Sequence, residues 1–278
     1  MKNIKQRIIE LPVIGPMTMF GFRSLILVRH LTKVLKTSLG WLFSSKEYTN
    51  YSYDLTMTNK GHLAAFVSTV AAIPMAQAMA YIVEAEQDQE LRDHITKNVD
   101  NRLGRVRTDR TGWLNKRLGW YAIARAIKPG IIIETGVDKG LGSVVLSAAL
   151  LRNASEGHPG TYYGTDINPQ AGLLFTGKYA TTGKILYGDS ITSLKALTET
   201  VDLFINDSDH SADYELREYE VIESKLSSKA ILLADNAHGS DSLLRHAGIV
   251  GKSFLFWKEQ PRNHWYSGAG IGAAFRQK

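Results

Sequence analysis

The feature that most constrains the fold is the stretch Ile131–Ser143, which reads Ile-Ile-Ile-Glu-Thr-Gly-Val-Asp-Lys-Gly-Leu-Gly-Ser. Three β-branched residues lead into Glu134, a glycine-rich turn follows, and an apolar run comes next. This pattern predicts a buried parallel strand, a tight loop and the start of a helix. Gly136 and Gly140 have no Cβ, so backbone there can approach a ligand closely. The helix start would point unpaired N–H groups at that ligand, as in a nucleotide cradle.

The glycine spacing narrows the kind of ligand. It reads Glu-x-Gly-x-x-x-Gly-x-Gly, which differs from the Gly-x-Gly-x-x-Gly pattern of dinucleotide-binding domains. The sequence has no Gly-x-x-x-x-Gly-Lys-Ser/Thr phosphate loop, which argues against ATP or GTP binding of that kind. An ordinary strand-to-helix turn of an α/β domain would read the same way, so the motif alone leaves both interpretations open.

Strand-like and helix-like segments alternate from residue 131 onward, at the spacing of β-α-β units. The predicted strands are 131–135, 161–166, 184–188, 201–206, 230–235, 254–257 and 270–275. The predicted helices between them lie near 141–153, 170–178, 190–199, 212–226 and 240–248. The pattern predicts an α/β fold with a Rossmann-like, seven-stranded sheet at residues 119–278.

Residues 1–118 are predicted to form a helical N-terminal extension that caps a substrate site, builds an oligomer or contacts a membrane. Its last part, 101–118, is basic and irregular and is interpreted as a solvated linker. Tyr48, Tyr51 and Tyr53 lie in a polar loop that either lines a substrate entrance or simply packs.

The basic character of the chain is confined to its N-terminus. The net charge is +6, and residues 1–47 alone carry eight basic and two acidic side chains, so the rest is neutral overall. Within residues 11–43, apolar residues recur at three- and four-residue steps from Ser24 to Phe43, with basic residues between them. This predicts a basic amphipathic helix. It either contacts an anionic membrane surface or packs on its own domain or across a homo-oligomer, and packing is the commoner use of such helices.

Composition excludes several classes of protein. The chain has no cysteine, so disulfides, zinc-thiolate sites and cysteine nucleophiles are excluded. No signal-peptide pattern and no uninterrupted long apolar run are found, so we expect a cytoplasmic protein, with membrane association through residues 11–43 as the alternative.

Acidic residues follow the predicted strands, where the carboxyl ends of parallel strands meet at one edge of the sheet. Asp166 ends the second strand, at a position from which a carboxylate can accept both ribose hydroxyls of an adenosine. Asp189 and Ser190 follow the third strand. Either residue would also suit the N-cap of the next helix, and the sequence leaves both roles open.

The ends of the fourth and fifth strands carry the densest chemistry. The fourth is followed by Asp207-Ser-Asp209-His210, and the fifth by Asp235-Asn236. Two carboxylates and an amide oxygen at neighbouring strand ends are the hard oxygen ligands that Mg²⁺ prefers. These residues predict a metal site with an imidazole beside it.

The order of these motifs resembles the class I S-adenosylmethionine (SAM) methyltransferases, and more specifically the metal-dependent small-molecule and sugar O-methyltransferases of bacteria. The resemblance covers residues 120–278 and implies a sheet whose last strand is antiparallel. It implies cofactor-binding residues Glu134, Thr135, Gly136, Gly140, Ser143, Asp166, Asp189 and Ser190. It implies Mg²⁺ on Asp207, Asp235 and Asn236, with His210 as general base and Asp207 beside it in catalysis. One departure is Asn206, which stands where the family is usually apolar.

The implied reaction is SAM-dependent methyl transfer to a small-molecule acceptor, in which the protein aligns the two reactants and Mg²⁺ lowers the pKa of the acceptor hydroxyl. N-acceptors and lipid-linked acceptors stay open, as does a non-catalytic SAM-fold protein with an N-terminal interaction module. Action on nucleic acid is disfavoured because the predicted catalytic half is neutral and lacks an Asn-Pro-Pro-Tyr motif.

Overall fold

The structure is a computed structural model that describes residues 11–47, 51–102, 109 and 111–277. The chain divides into two compact units. One contains the described residues up to Ser45 together with Asn263–Tyr266, and the other contains Lys46–Arg262 and Ser267–Lys278.

The first unit is built on one long helix, α1 (Ile14–Ser44). The predicted helix at 24–43 is confirmed and begins ten residues earlier than expected. Of the residues in α1, only Gly15 is buried.

The second unit begins with four helices: α2 (Met57–Ala71), α3 (Met75–Gln87), α4 (Gln89–Arg102) and α5 (Arg117–Ile127). The alternating part follows as β1 (Ile131–Thr135), α6 (Leu141–Ser155), β2 (Thr161–Asp166), β3 (Gly183–Tyr187), α7 (Ser190–Ala196), β4 (Val201–Asn206), α8 (Ala212–Glu223) and β5 (Leu226–Ala234). It closes with α9 (Ser242–Val250), β6 (Ser253–Lys258) and β7 (Gly270–Phe275).

The predicted seven-stranded α/β sheet is confirmed. Its strand order is β3-β2-β1-β4-β5-β7-β6, and β1 to β5 pair in parallel. The last strand, β7, is antiparallel to both of its neighbours. In the centre, Ile133 of β1 lies beside Tyr163 of β2 and Phe204 of β4. The carboxyl ends of β1 to β5 therefore meet at one edge, with helices covering both faces.

The helix predicted at 170–178 is wrong. That segment forms turns, and a 3₁₀-helix follows at Gly177–Thr182. The backbone there is used differently, because Gly172 N–H donates to the Asp138 carbonyl at 2.7 Å and Leu174 N–H donates to the Lys139 carbonyl at 2.9 Å. Gly172 also has a φ of +82°, which a right-handed helix does not allow. These two hydrogen bonds hold the segment against the loop after β1.

The predicted division of the chain into two domains at residue 118 stays a prediction. The two compact units of the structure divide the chain at other positions. Helices α2 to α5 belong to the same unit as the sheet. A Cβ at Gly119 of α5 would lie 2.9 Å from Leu63 of α2 and 2.8 Å from Ile271 of β7, so these elements pack closely. Among the described residues, no single helix has both the length and the apolar character to cross a membrane; α2 and α3 meet that criterion only as a pair, with a 118° bend between them.

Candidate active site

A cavity of about 740 Å³ lies at the carboxyl edge of the sheet. Its floor is formed by the residues that follow β1 to β5, and segments 51–53 and 115–117 complete its wall. A volume of this size suits a cofactor-sized ligand.

The loop after β1 is held tightly to its neighbours. Gly136 has a φ of +82°, and a Cβ there would collide with the Asp207 backbone carbonyl. Gly136 N–H donates to Thr165 O at 2.9 Å, and Asp207 N–H donates to Thr135 O at 2.9 Å. Glycine is therefore required so that the ends of β1 and β4 can approach each other. Gly140, with a φ of +88°, precedes α6 but does not line the cavity.

Asp166 lines the cavity and also anchors this loop. Its Oδ2 accepts from Val137 N–H at 3.0 Å and Asp138 N–H at 2.8 Å, and its Oδ1 accepts from Asn168 N–H at 2.8 Å. Two backbone N–H groups of the loop after β1 are thus already paired with a carboxylate of the protein.

Asp189 and Ser190 also line the cavity. Asp189 is the N-cap of α7, since its carboxylate accepts from Thr192 N–H at 2.7 Å, and it also accepts from the Tyr214 hydroxyl at 2.8 Å. The Thr192 hydroxyl and then Tyr214 hold the pKa of Asp189 below its usual value. Asp189 therefore has the capping role that the sequence left open. It also faces the cavity.

Glu134 and Ser143 lie behind the loop and do not line the cavity. The Glu134 carboxylate is buried and accepts from the hydroxyls of Tyr162 and Ser143. Burial raises its pKa to about 7, against these hydrogen bonds. Gly142 makes room for it, because a Cβ there would collide with the carboxylate. The structure therefore gives Glu134 and Ser143 a position in the core behind the cavity, and their contact with a cofactor stays a prediction.

A buried carboxylate that the sequence analysis missed joins the strand ends. Glu218 of α8 accepts from Thr135 Oγ at 3.2 Å, from Ser208 Oγ at 2.8 Å, and from Ser190 Oγ and Asn206 Nδ2. Thr135 is buried in this network and does not line the cavity. Burial raises the pKa of Glu218 above its usual value. The network also explains why a polar residue stands at 206, where an apolar one was expected.

Two buried cations face the acidic pair at the ends of β4 and β5. Lys116 Nζ lies 2.5 Å from Asp235 Oδ2, and both side chains are less than a tenth exposed. Arg117 lies 3.7 Å from Asp207 Oδ2 and stacks on the Trp120 ring at 5.1 Å. The solvated-linker interpretation of residues 101–118 is therefore wrong for its end, since residues 115–117 form part of the cavity wall.

The pKa values of this cluster follow from its contacts. Burial alone would lower the pKa of Lys116, but Asp235 and Asp207 outweigh burial and raise it. Burial would raise the pKa of Asp235, but Lys116 and Arg117 outweigh it and lower it. For Asp207, burial and the neighbouring Asp235 charge together raise the pKa well above its usual value. The two neighbouring carboxyls are therefore shifted in opposite directions, with the pKa of Asp207 raised and that of Asp235 lowered.

The predicted Mg²⁺ ligands do not fit a divalent cation in this arrangement. Asp235 is paired with the Lys116 ammonium, and Asp207 lies 3.7 Å from the Arg117 guanidinium, so both carboxylates already face a cation. Asn236 is half-exposed and does not line the cavity. Over the part of the chain that the structure describes, no group of three acidic or imidazole side chains could hold a metal ion. A cation here would have to displace Lys116, which already compensates the carboxylates.

The remaining wall of the cavity comes from exposed and aromatic side chains. His210 is exposed and lines the cavity beside Asp209. Tyr51 and Tyr53 line the cavity from the loop before α2, and Tyr48 of the same loop lies outside the described residues, so their role at a substrate entrance stays a prediction. Tyr53 OH donates to Glu259 at 2.7 Å. The Tyr51 hydroxyl is buried and makes no hydrogen bond to any residue that the structure describes.

Comparison with known proteins finds a family model that is similar to part of the chain. Residues 133–237 match a model described as a methyltransferase domain, and this span runs from β1 to just beyond β5. The match covers less than half of the chain. A search of curated proteins finds no match.

Several solved methyltransferases are similar in structure. The O-methyltransferase TomG from Streptomyces achromogenes, involved in tomaymycin synthesis and solved with SAM, is 13% identical with a TM-score of 0.44, over 57% of this chain and 78% of that one. An O-methyltransferase from Bacillus cereus, solved with S-adenosylhomocysteine (SAH), is 13% identical with a TM-score of 0.47, over 68% and 92%. The SAH-bound methyltransferase PaMTH1 of Podospora anserina is 16% identical with a TM-score of 0.47, over 83% and 100%. These identities and TM-scores are too low to assign an activity to this chain.

Proposed function

We propose that this chain transfers a methyl group from SAM to a hydroxyl group of a small molecule, such as a sugar or a phenol. The observation that carries the proposal is the convergence of strand-end carboxylates on one cavity within a methyltransferase domain. The carboxylates are Asp166, Asp189, Asp207 and Asp235.

The cofactor half of the cavity is the end formed by β2 and β3. A carboxylate has about four acceptor positions, and backbone N–H groups take three of those on Asp166. The fourth is available to a ribose hydroxyl. Beside Asp189, a Cβ on Gly188 would meet no atom within 4 Å, so open space lies at this glycine. These acceptor groups and this open space fit the adenosine of SAM. Its positively charged sulfonium would supply an activated methyl group when SAM is bound.

The acceptor half is the end that contains Lys116, Arg117, Tyr51 and His210. His210 would take the proton of the acceptor hydroxyl, so that its oxygen can accept the methyl group that SAM would supply when bound, with SAH as the leaving product. The two cations would stabilise the negative charge that develops on this oxygen. No step passes through a metal.

The cofactor is tested by calorimetric titration of SAM and SAH, with NAD as a control. Both SAM species should bind and NAD should not. Asp166→Asn should weaken SAM binding roughly tenfold or more through loss of a charged hydrogen bond. Asp202 is the matched control, because it also accepts two backbone N–H groups, from Gly130 at 2.9 Å and Ile131 at 3.3 Å, at the opposite end of the strands. Asp202→Asn should leave SAM affinity unchanged.

The reaction is tested by mass spectrometry of SAM incubations with a panel of sugars and phenols. His210→Ala should lower the rate of methyl transfer while SAM binding by calorimetry stays intact. Failure of both SAM and SAH to bind would overturn the proposed function, as would an equal loss of affinity in the Asp166 and Asp202 variants. An unaltered rate in the His210 variant would remove the base from the proposal.

A further inference from the structure

The basic side chains of helix α1 lie on one side of the helix, and the opposite side is mostly apolar. With 3.6 residues per turn, its basic residues all fall within one arc of about 140°. They are Arg23, Arg29, His30, Lys33 and Lys36. The opposite arc is aliphatic and aromatic, and includes Phe20, Leu27, Val28, Leu31, Val34, Leu35, Leu39 and Leu42.

The aliphatic arc of α1 is uncovered. Leu31 and Leu35 are 54% and 58% exposed, and Phe20 is 67% exposed. Gly21 lies at the edge of this arc, and a Cβ added there would meet no atom of the described residues within 4 Å. A surface this apolar on a chain in water marks a contact with another partner.

Aromatic side chains gather at the C-terminal end of α1. Within the first unit, Trp41 contacts the rings of His264 and Trp265, with centroids 5.9 and 5.5 Å away. Trp265 is 42% exposed, and Phe43 is 84% exposed. Tryptophan is enriched where hydrocarbon meets water at a membrane surface.

We infer that α1 lies in the surface of an anionic lipid bilayer, with its aliphatic arc among the acyl chains and its basic arc among the headgroups. The positive charge of the segment favours an anionic bilayer as the surface that α1 contacts. Residues 11–45 carry four arginines and lysines and no aspartate or glutamate, so a negative surface complements them. A second copy of α1 could also cover the aliphatic arc, but it would leave the basic arc without an anionic partner.

The test is co-sedimentation of the full chain with vesicles of phosphatidylcholine that contain about a third phosphatidylserine, against vesicles of phosphatidylcholine alone. The chain should bind the anionic vesicles and be released by high salt. Each lysine or arginine of α1 changed to glutamine should weaken binding about fivefold.

Two variants with the same change of chemistry separate the arcs. Leu35→Gln alters the aliphatic arc at a side chain that is 58% exposed. Ile26→Gln alters an aliphatic side chain on the basic arc that is 70% exposed. Leu35→Gln should weaken vesicle binding severalfold more than Ile26→Gln. Melting temperature and SAM titration, measured on both, show that the second unit is intact.

Three results would overturn the inference. One is equal binding to neutral and anionic vesicles, and another is equal effects of the two glutamine variants. The third is a wild-type chain that does not bind anionic vesicles and forms a dimer in light scattering. If the double variant Leu31→Gln/Leu35→Gln dissociates that dimer, the aliphatic arc is covered by a second copy of the chain. None of these depends on methyl transfer.

Discussion

Lys116→Met is the sharpest perturbation of the candidate site. The change removes an ammonium 2.5 Å from Asp235 Oδ2 while keeping a side chain of similar length, and it leaves a carboxylate that is 9% exposed without its partner. Removing one member of a buried ion pair costs about 3–5 kcal/mol. For a unit of this size, 1 kcal/mol corresponds to roughly 2–4 °C in melting temperature, so a decrease of roughly 6–20 °C is expected.

The measurement is thermal unfolding by calorimetry, with Lys178→Met as the control. Lys178 pairs with Glu90 on the surface, where both side chains are exposed. An exposed pair contributes about 0–1 kcal/mol, so this variant should melt within a few degrees of the wild type.

The dependence on pH gives a second check. In the wild type, the folded-state pKa of Asp235 is lowered by Lys116 and Arg117, so its stabilisation is present above the unfolded pKa and is lost as the pH falls through the folded pKa. Without Lys116, burial raises the pKa, and protonation at low pH relieves the cost. The deficit of Lys116→Met should therefore be larger at pH 8 than at pH 5. A Lys116→Met variant that melts within about 2 °C of the wild type at pH 8 would refute the reasoning.

Three further predictions concern the metal, the buried network and the packing behind the loop. EDTA should leave SAM binding, methyl transfer and melting temperature unchanged; a loss restored by Mg²⁺ would show that a cation displaces Lys116. Glu218→Ala should lower the free energy of unfolding by about 3 kcal/mol in urea, since several buried donors lose their acceptor, while the exposed neighbour Glu220→Ala should change it little; equal effects would contradict the network. Gly142→Ala should cost about 1–3 kcal/mol because its Cβ meets Glu134, whereas Gly248→Ala, also in a helix but with open space around it, should be neutral or stabilising; a stable Gly142→Ala would show that Glu134 is not confined there.

The strand ends were predictable because their signals are local. A β-branched run followed by a glycine turn fixes β1, and Asp166 or Asp235 needs only its own strand to place it at the carboxyl edge. The antiparallel last strand was expected only from the resemblance to methyltransferases, because the alternation of elements is compatible with many strand orders.

The residues that the sequence analysis missed depend on distant contacts. Lys116 reaches Asp235 across 119 residues, and in a run of basic residues nothing marks it as buried. Glu218 lies among other charged residues of α8, and its burial depends on the ends of β1, β3 and β4. The helix expected at 170–178 failed because its backbone donors pair with the loop after β1 instead of with one another.

The cavity is assembled from two separate stretches of sequence. The strand ends proposed to hold the cofactor lie within the span that matches the methyltransferase domain, but Tyr51, Lys116 and Arg117 lie before it. On the proposed function, substitutions at Tyr51, Lys116 or Arg117 should alter which acceptor is methylated and leave SAM binding unchanged. A fragment trimmed to residues 133–237 would lose the ammonium that neutralises Asp235, so the matched span is not a module that can be transplanted with its chemistry intact.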